Sequence, residues 1–125
     1  MARILIAEDE EALCAMCARA LATDGHDVKT ASDGSEALDV LAREDGRFDL
    51  LLTDVRMPIM DGIALALAAA RDFPDLTILL MTGYADQRER AHGLDALIHD
   101  VITKPFTLAT LRGAVNEALT VGARG

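Results

Sequence analysis

Tryptophan is missing from this chain, and only one tyrosine and three phenylalanines stand among its 125 residues. Without a row of exposed aromatics there is no stacking platform for bases or sugar rings. Basic charge is scarce too: 12 Lys and Arg face 21 Asp and Glu, a formal net charge of -9 at neutral pH. Nucleic acids and anionic membranes reward clustered Lys and Arg, so neither is expected as a direct partner, and a basic or apolar protein surface suits the chain better. No apolar run approaches the ~18 residues of a membrane-crossing helix. The N-terminus MARILIAEDEE also turns acidic too early for a secretory leader. A soluble, cytosolic protein is expected.

Cysteine is limited to Cys14 and Cys17. A C-x-x-C near a βαβ pattern suggests a redox pair, but this one is embedded in EEALCAMCARALA, where Leu13, Met16, Cys17, Ala20 and Leu21 share one helical face. Residues three apart on a helix are neighbours in any case. The favoured reading is Cys17 in the core and Cys14 half-exposed, with a redox role as the alternative. His26, His92 and His99 have no spacing for metal or nucleophile work and are read as surface or half-buried residues. Met57, Met60 and Met81 read as loop and core packing.

About half of the residues are apolar, enough to give one domain of this length a core without staples. The pattern alternates between short apolar runs and amphipathic stretches. Arg3 to Ala7 reads as a strand, and a helix follows from about Glu10 to Thr23, stopped by Asp24-Gly25. His26 to Ala31 is a second strand, and Asp33 caps a helix running to about Arg43. Phe48 to Thr53 carries an unbroken Leu run and is expected as a central strand covered on both faces. Asp61 caps a helix over Gly62 to Arg71, and Thr77 to Thr82 is the fourth strand. A helix over Asp86 to Gly93, a strand over Leu97 to Thr103 and a helix over Leu108 to Leu119 complete the series. The expected organisation is one domain over 1–120 with a short tail, 121–125.

Five βα units in series imply an open parallel sheet with helices on both faces, an α/β doubly wound fold. Such sheets bind ligands beyond the carboxyl ends of their strands. The residues there are Glu8 and Asp9, Asp54, Thr82 and Lys104. Three clustered carboxylates repel one another and ask for a hard cation. Oxygen ligands without histidine favour Mg²⁺, which usually keeps waters and a phosphate. Lys104 and Thr82 suit the remaining phosphate charge. A carboxylate can attack phosphorus in line, with positioning and charge neutralisation supplying most of the catalysis. Asp54, at the end of the central strand, is the expected acceptor, leaving Glu8 and Asp9 for the ion.

Other phosphate chemistries lack their residues. There is no G-x-x-x-x-G-K-[ST] loop and no G-x-G-x-x-G after the first strand. Two residues after Asp54, where phosphatases with an aspartyl nucleophile need an acid, stands Arg56. Taken alone, Glu8-Asp9 would be a charge pair at a helix N-terminus, Thr82 a strand-end hydroxyl and Lys104 a solvated charge. Their convergence on Asp54 outweighs those readings.

The pieces ILIAEDEE, LLLTDVRMPIMDGI, LLMTGYAD and ITKPF, in this order and at these spacings, resemble the CheY-like receiver domains of bacterial two-component signalling over Ala2 to about Leu119. The resemblance implies a five-stranded, flavodoxin-like sheet of order 2-1-3-4-5. It also implies a histidine kinase or phosphotransfer protein that phosphorylates Asp54. Asp9 and Asp54 would contact Mg²⁺ directly, Glu8 mostly through water, and Arg56 through its carbonyl. Thr82 and Lys104 would meet the phosphoryl group, and Lys104 and Pro105 would be joined by a cis peptide bond. A receiver is not itself an enzyme, though it promotes its own Mg²⁺-dependent phosphorylation and dephosphorylation.

The chain departs from the family pattern in its fifth strand and just after Thr82. Val101 replaces the usual aromatic three residues before the Lys, and Gly83 and Tyr84 follow Thr82. Thr82, Gly83, Tyr84 and Val101 are therefore expected to form a switch unlike the usual Thr/aromatic pair, with Tyr84 a candidate for the missing ring. Within the family the chain looks most like CpdR-type single-domain regulators, which control regulated proteolysis. An unidentified downstream protein and a monomer or phosphorylation-dependent homodimer would follow. Arg88, Arg90 and His92 are candidate contacts. The competing class is a receiver-fold interaction module that works without phosphate.

Overall fold

The computed structural model describes residues 2–83, 93–94 and 96–124. Five strands, β1 (Arg3–Ala7), β2 (Asp27–Ala31), β3 (Leu50–Asp54), β4 (Thr77–Thr82) and β5 (Asp100–Thr103), form one parallel sheet in the order β2-β1-β3-β4-β5. Among the described residues four helices cover it: α1 (Glu11–Thr23), α2 (Gly34–Arg43), α3 (Gly62–Asp72) and α4 (Leu108–Arg124). The α/β doubly wound fold expected from the sequence is the fold observed. The helix expected over Asp86 to Gly93 lies largely outside the described residues.

Period-two alternation along each strand sorts the core into two layers. Leu5, Leu51, Ile78 and Leu80 point to the side of α2 and α3. Ile4, Ile6, Leu50, Leu52, Leu79 and Met81 point to the side of α1 and α4, against Cys17, Leu21, Leu111 and Val115. Every residue of β3 is buried, as a strand sandwiched by helices requires.

Helix ends follow local chemistry. Asp33 caps α2 by accepting from the Glu36 N–H at 2.8 Å, and Asp61 caps α3 by accepting from the Ala64 N–H at 2.9 Å. Each carboxylate satisfies a backbone donor that has no partner within the first turn. Thr107 does the same for α4, its hydroxyl accepting from the Thr110 N–H at 3.1 Å, a cap the sequence reading did not assign. Gly25, at φ +93°, ends α1 in the left-handed conformation that glycine tolerates.

Most boundaries fall within a residue of expectation, and the larger departures are three. Strand β3 starts at Leu50 rather than Phe48, because the Phe48 N–H is spent on the Gly46 carbonyl in a turn, at 2.8 Å. Strand β5 starts at Asp100 rather than Leu97, since the amides of Leu97 and Ile98 both turn back to the Leu94 carbonyl, at 2.7 and 3.1 Å. Helix α4 continues to Arg124, past the Leu119 end expected. Gly122 is the weakest helix former in that last turn, and its cost of about 1 kcal/mol is too small to stop the helix. Met16, placed on the buried face of α1, is 40% exposed.

Candidate functional site

The parallel sheet delivers its chemistry at one end. Glu8 and Asp9 follow β1, and the Glu8 N–H donates to the Ala31 carbonyl at the end of β2, which fixes the first acid at the carboxyl end of the sheet. Asp54 is the last residue of β3 and Thr82 the last of β4. Lys104 follows β5, where its amide donates to the Thr82 carbonyl at 2.8 Å, and its peptide bond to Pro105 is cis. Glu8, Asp54 and Thr82 are buried, while Asp9 is exposed.

The loop after Asp54 is held tightly against it. The Val55 N–H donates to the Met81 carbonyl, and the Gly62 N–H donates to the Val55 carbonyl at 2.8 Å, so the start of α3 folds back over the end of β3. A Cβ at Gly62 would run into the Asp54 carbonyl oxygen, so only glycine fits. The D-G pair at 61–62 thus combines a helix cap with a backbone close approach. At the outer turn of the loop Ile59 adopts φ +69°, with its side chain 85% exposed. That left-handed conformation is uncommon for a β-branched residue.

One oxygen from each of Glu8, Asp9 and Asp54 lies within 4.8 Å of the others. Between two of them sits the ammonium of Lys104, 2.8 Å from Glu8 Oε1 and 3.2 Å from Asp54 Oδ1. The second Glu8 oxygen accepts the Glu10 N–H at 3.0 Å. Burial pushes the Glu8 carboxyl above its ordinary range, with the Lys104 hydrogen bond opposing and the charge of Asp54 reinforcing. Asp54 is likewise raised, by burial first and by Asp9, against the pull of Lys104. For Lys104 burial works downward, but the hydrogen bond to Glu8 and the charge of Asp54 outweigh it and the ammonium is held above its usual value. One ammonium among three carboxylates leaves negative charge over. A hard divalent cation fits that deficit and that all-oxygen donor set.

These groups line a cleft of about 910 Å³ together with Arg56 and Gly83, its mouth edged by Met16, Pro58 and Phe106. A phosphate-sized group has ample room. Thr82, buried at the end of β4, stands in register with Thr103 and precedes Gly83 of the cleft lining. Val101 pairs in register with Leu80 and packs, partly buried, against the core on the α2–α3 side, away from the cleft. Tyr84, Arg88, Arg90 and His92 lie outside the described residues.

Glu8, expected at the ion, and Lys104, expected at phosphate, bond each other across 96 residues, a contact that nothing local in the sequence signals. Cys14 and Cys17 are free thiols, the second fully buried. Burial pushes both up, Cys17 to about 11, so neither is primed as a thiolate.

The sequence pattern of the response regulator receiver domain family matches residues 4–116. Response regulator MprA of Mycobacterium tuberculosis is 39% identical over 117 residues, covering 94% of this chain and 50% of that protein. The chain therefore spans about half the length of the curated relatives it matches. Among solved structures, a CheY-like receiver domain protein from Methanospirillum hungatei superposes with a TM-score of 0.90 at 28% identity, covering 99% of this chain and 98% of that one. TrrA of Thermotoga maritima, solved in complex with Mg²⁺-BeF, superposes with a TM-score of 0.82 at 27% identity, covering 94% and 99%.

Proposed function

The chain belongs to the response regulator receiver domain family, and from that premise we propose that it accepts a phosphoryl group on Asp54 from a histidine kinase or histidine phosphotransfer protein. The observation that carries the reading is the convergence of Glu8, Asp9 and Asp54 within 4.8 Å of one another, with Lys104 3.2 Å from the acceptor carboxylate.

An Asp54 oxygen attacks phosphorus in line, and the bond from phosphorus to the donor's imidazole nitrogen breaks as the nitrogen keeps the electron pair. No general base is needed, because the nucleophile is already an anion. Glu8, Asp9, Asp54 and the Arg56 carbonyl would hold Mg²⁺, Asp9 and Asp54 directly and Glu8 mostly through water. When bound, the ion supplies positive charge to the phosphoryl oxygens and relieves the repulsion among the acids. A structural neighbour that holds Mg²⁺ and BeF supports this assignment. Lys104 pairs with a phosphoryl oxygen, and the Thr82 hydroxyl donates to another.

Thr82, Gly83, Tyr84 and Val101 form the switch region that reports the modification. Val101, an aliphatic residue, takes the place of the usual ring, so the switch differs from the usual one at Thr82, Gly83 and Tyr84. The output passes through protein contacts to a downstream target, in the manner of the CpdR-type regulators it resembles, as a monomer or a phosphorylation-dependent homodimer. Among the described residues no helix is long and apolar enough to cross a membrane.

Incubation with Mg²⁺ and acetyl phosphate, followed by intact-mass spectrometry, tests the reading. The wild type gains one phosphoryl group and Asp54→Asn gains none. No added mass on the wild type, or the same mass on Asp54→Asn, would overturn it.

A further inference from the structure

The first N–H groups of a helix have no partner inside it, and α2 spends one of its own on another loop. Asp33 takes the Glu36 N–H, while the N–H of Gly34, the first residue of α2, donates to the Met60 carbonyl at 3.1 Å. Gly34 is buried there, and a Cβ on it would stand 2.6 Å from that carbonyl oxygen and 2.9 Å from the Met60 Cβ. The start of α2 is thus pressed against the loop that follows Asp54. Within that loop the Met60 N–H donates to the Pro58 carbonyl at 2.7 Å, across Ile59 at φ +69°. A three-residue turn of this hand is strained, and such strain persists only where the surroundings impose it. The Ile59 side chain is too exposed to do so. Two backbone bonds hold the loop instead, Gly62 to Val55 at its base and Gly34 to Met60 near its apex.

We infer that Gly34 is a positioning residue of the phosphoacceptor site. Its N–H and its missing side chain let the start of α2 clamp the loop over 55–61, which holds Arg56, Met57 and Pro58 along the cleft beside Asp54. Gly34 is not among the residues that line the cleft and acts through the loop alone. Arg56 offers the carbonyl assigned to the ion, so a loop lifted from α2 weakens the site without altering any of its acids. The coupling is reciprocal: if the clamped loop binds the ion better, the ion tightens the clamp by the same factor. The inference rests on the phosphoacceptor reading for its metal requirement.

Gly46 supplies the control. It lies in the turn between α2 and β3, at the other end of the sheet, and a Cβ on it would run into the Phe73 ring. Gly34→Ala and Gly46→Ala should both lower the denaturant midpoint, since each forces an atom into occupied space. Only Gly34→Ala should also weaken Mg²⁺ binding in a calorimetric titration, by about tenfold, a usual size for coupled sites. In wild-type protein labelled with ¹⁵N-glycine, hydrogen exchange of the Gly34 amide should slow by about the same factor at saturating Mg²⁺. The Gly46 amide, bonded to the Leu41 carbonyl at 2.7 Å, should exchange at an unchanged rate. That readout needs no variant to fold. Equal Mg²⁺ affinity of Gly34→Ala and wild type, or an equal loss in Gly46→Ala, would sink the inference alone. So would a Gly34 amide whose exchange ignores the ion while the wild type binds it. A wild type that takes up no Mg²⁺ at millimolar concentration would remove the metal requirement and both readings with it.

Discussion

The chain holds two lysine–glutamate pairs of nearly equal length at opposite ends of one sheet. At the amino end, Lys29 and Arg3 both bond Glu44, in a surface cluster with Asp27 where the Arg3 guanidinium also stacks over Phe48. At the carboxyl end, Lys104 bonds Glu8 in a cleft beside two more acids. Glu44 has two cations and is held below the ordinary carboxylate range, by its Arg3 and then its Lys29 hydrogen bond. Glu8 has one cation shared with Asp54 and is pushed above that range by burial. Pair distance is therefore a poor guide to role. Burial and the count of opposing charges separate a satisfied surface network from a site that wants a further cation.

The largest expected effect strikes the carboxyl end through its backbone. Gly62→Ala drives a methyl into the Asp54 carbonyl, and the obstacle is main chain rather than a side chain that can turn aside. A loss of about 2–3 kcal/mol is expected on denaturant unfolding, together with slower phosphorylation as the acceptor strand shifts. Gly25→Ala has open space around it and only a positive φ to resist it. It should cost about 1 kcal/mol. Equal costs at the two positions would mean that the close approach to Asp54 is not a real constraint.

Next comes charge. Without Mg²⁺, Asp54→Asn removes a buried charge beside other acids while Lys104 keeps Glu8 as partner. Its melting temperature should rise by about 3–5 °C. Adding Mg²⁺ should raise the wild-type melting temperature by mass action and leave Asp54→Asn nearly unmoved. A destabilised Asp54→Asn would show instead that Lys104 already neutralises the cluster in full, and the contrast between the two ends would shrink.

How much of this was legible in the sequence depended on whether the cause was local. The alternation of apolar runs, the Asp33 and Asp61 caps and the five strand-end residues are written within a few positions of where they sit, and the gathering of those strand ends follows from parallel topology. The starts of β3 and β5 were missed because turn amides at Phe48, Leu97 and Ile98 left the ladder for nearby carbonyls, which hydrophobicity does not encode. The pairing of Lys104 with Glu8 was invisible for a different reason: it depends on rotamers across 96 residues and on an oxygen count that only burial makes costly. Even the pairing of Lys29 with Glu44 has no motif.

The smallest effect belongs to the amino end. Glu44→Gln should leave the denaturant midpoint close to that of wild type at neutral pH and low salt, because exposed pairs are solvated and screened. The sign of its pH dependence is fixed by the lowered carboxyl: the folded state binds the Glu44 proton less tightly than the unfolded chain. The stabilisation is therefore present above the ordinary glutamate value of 4.5 and fades as pH falls through the lower folded value. Unfolding curves of wild type and Glu44→Gln should thus converge toward acid and with added salt. If the gap stays constant across that range, the amino-end network contributes through the packing of its side-chain stems over Phe48 rather than through charge, and what distinguishes the two ends of the sheet is the depth of the acids alone.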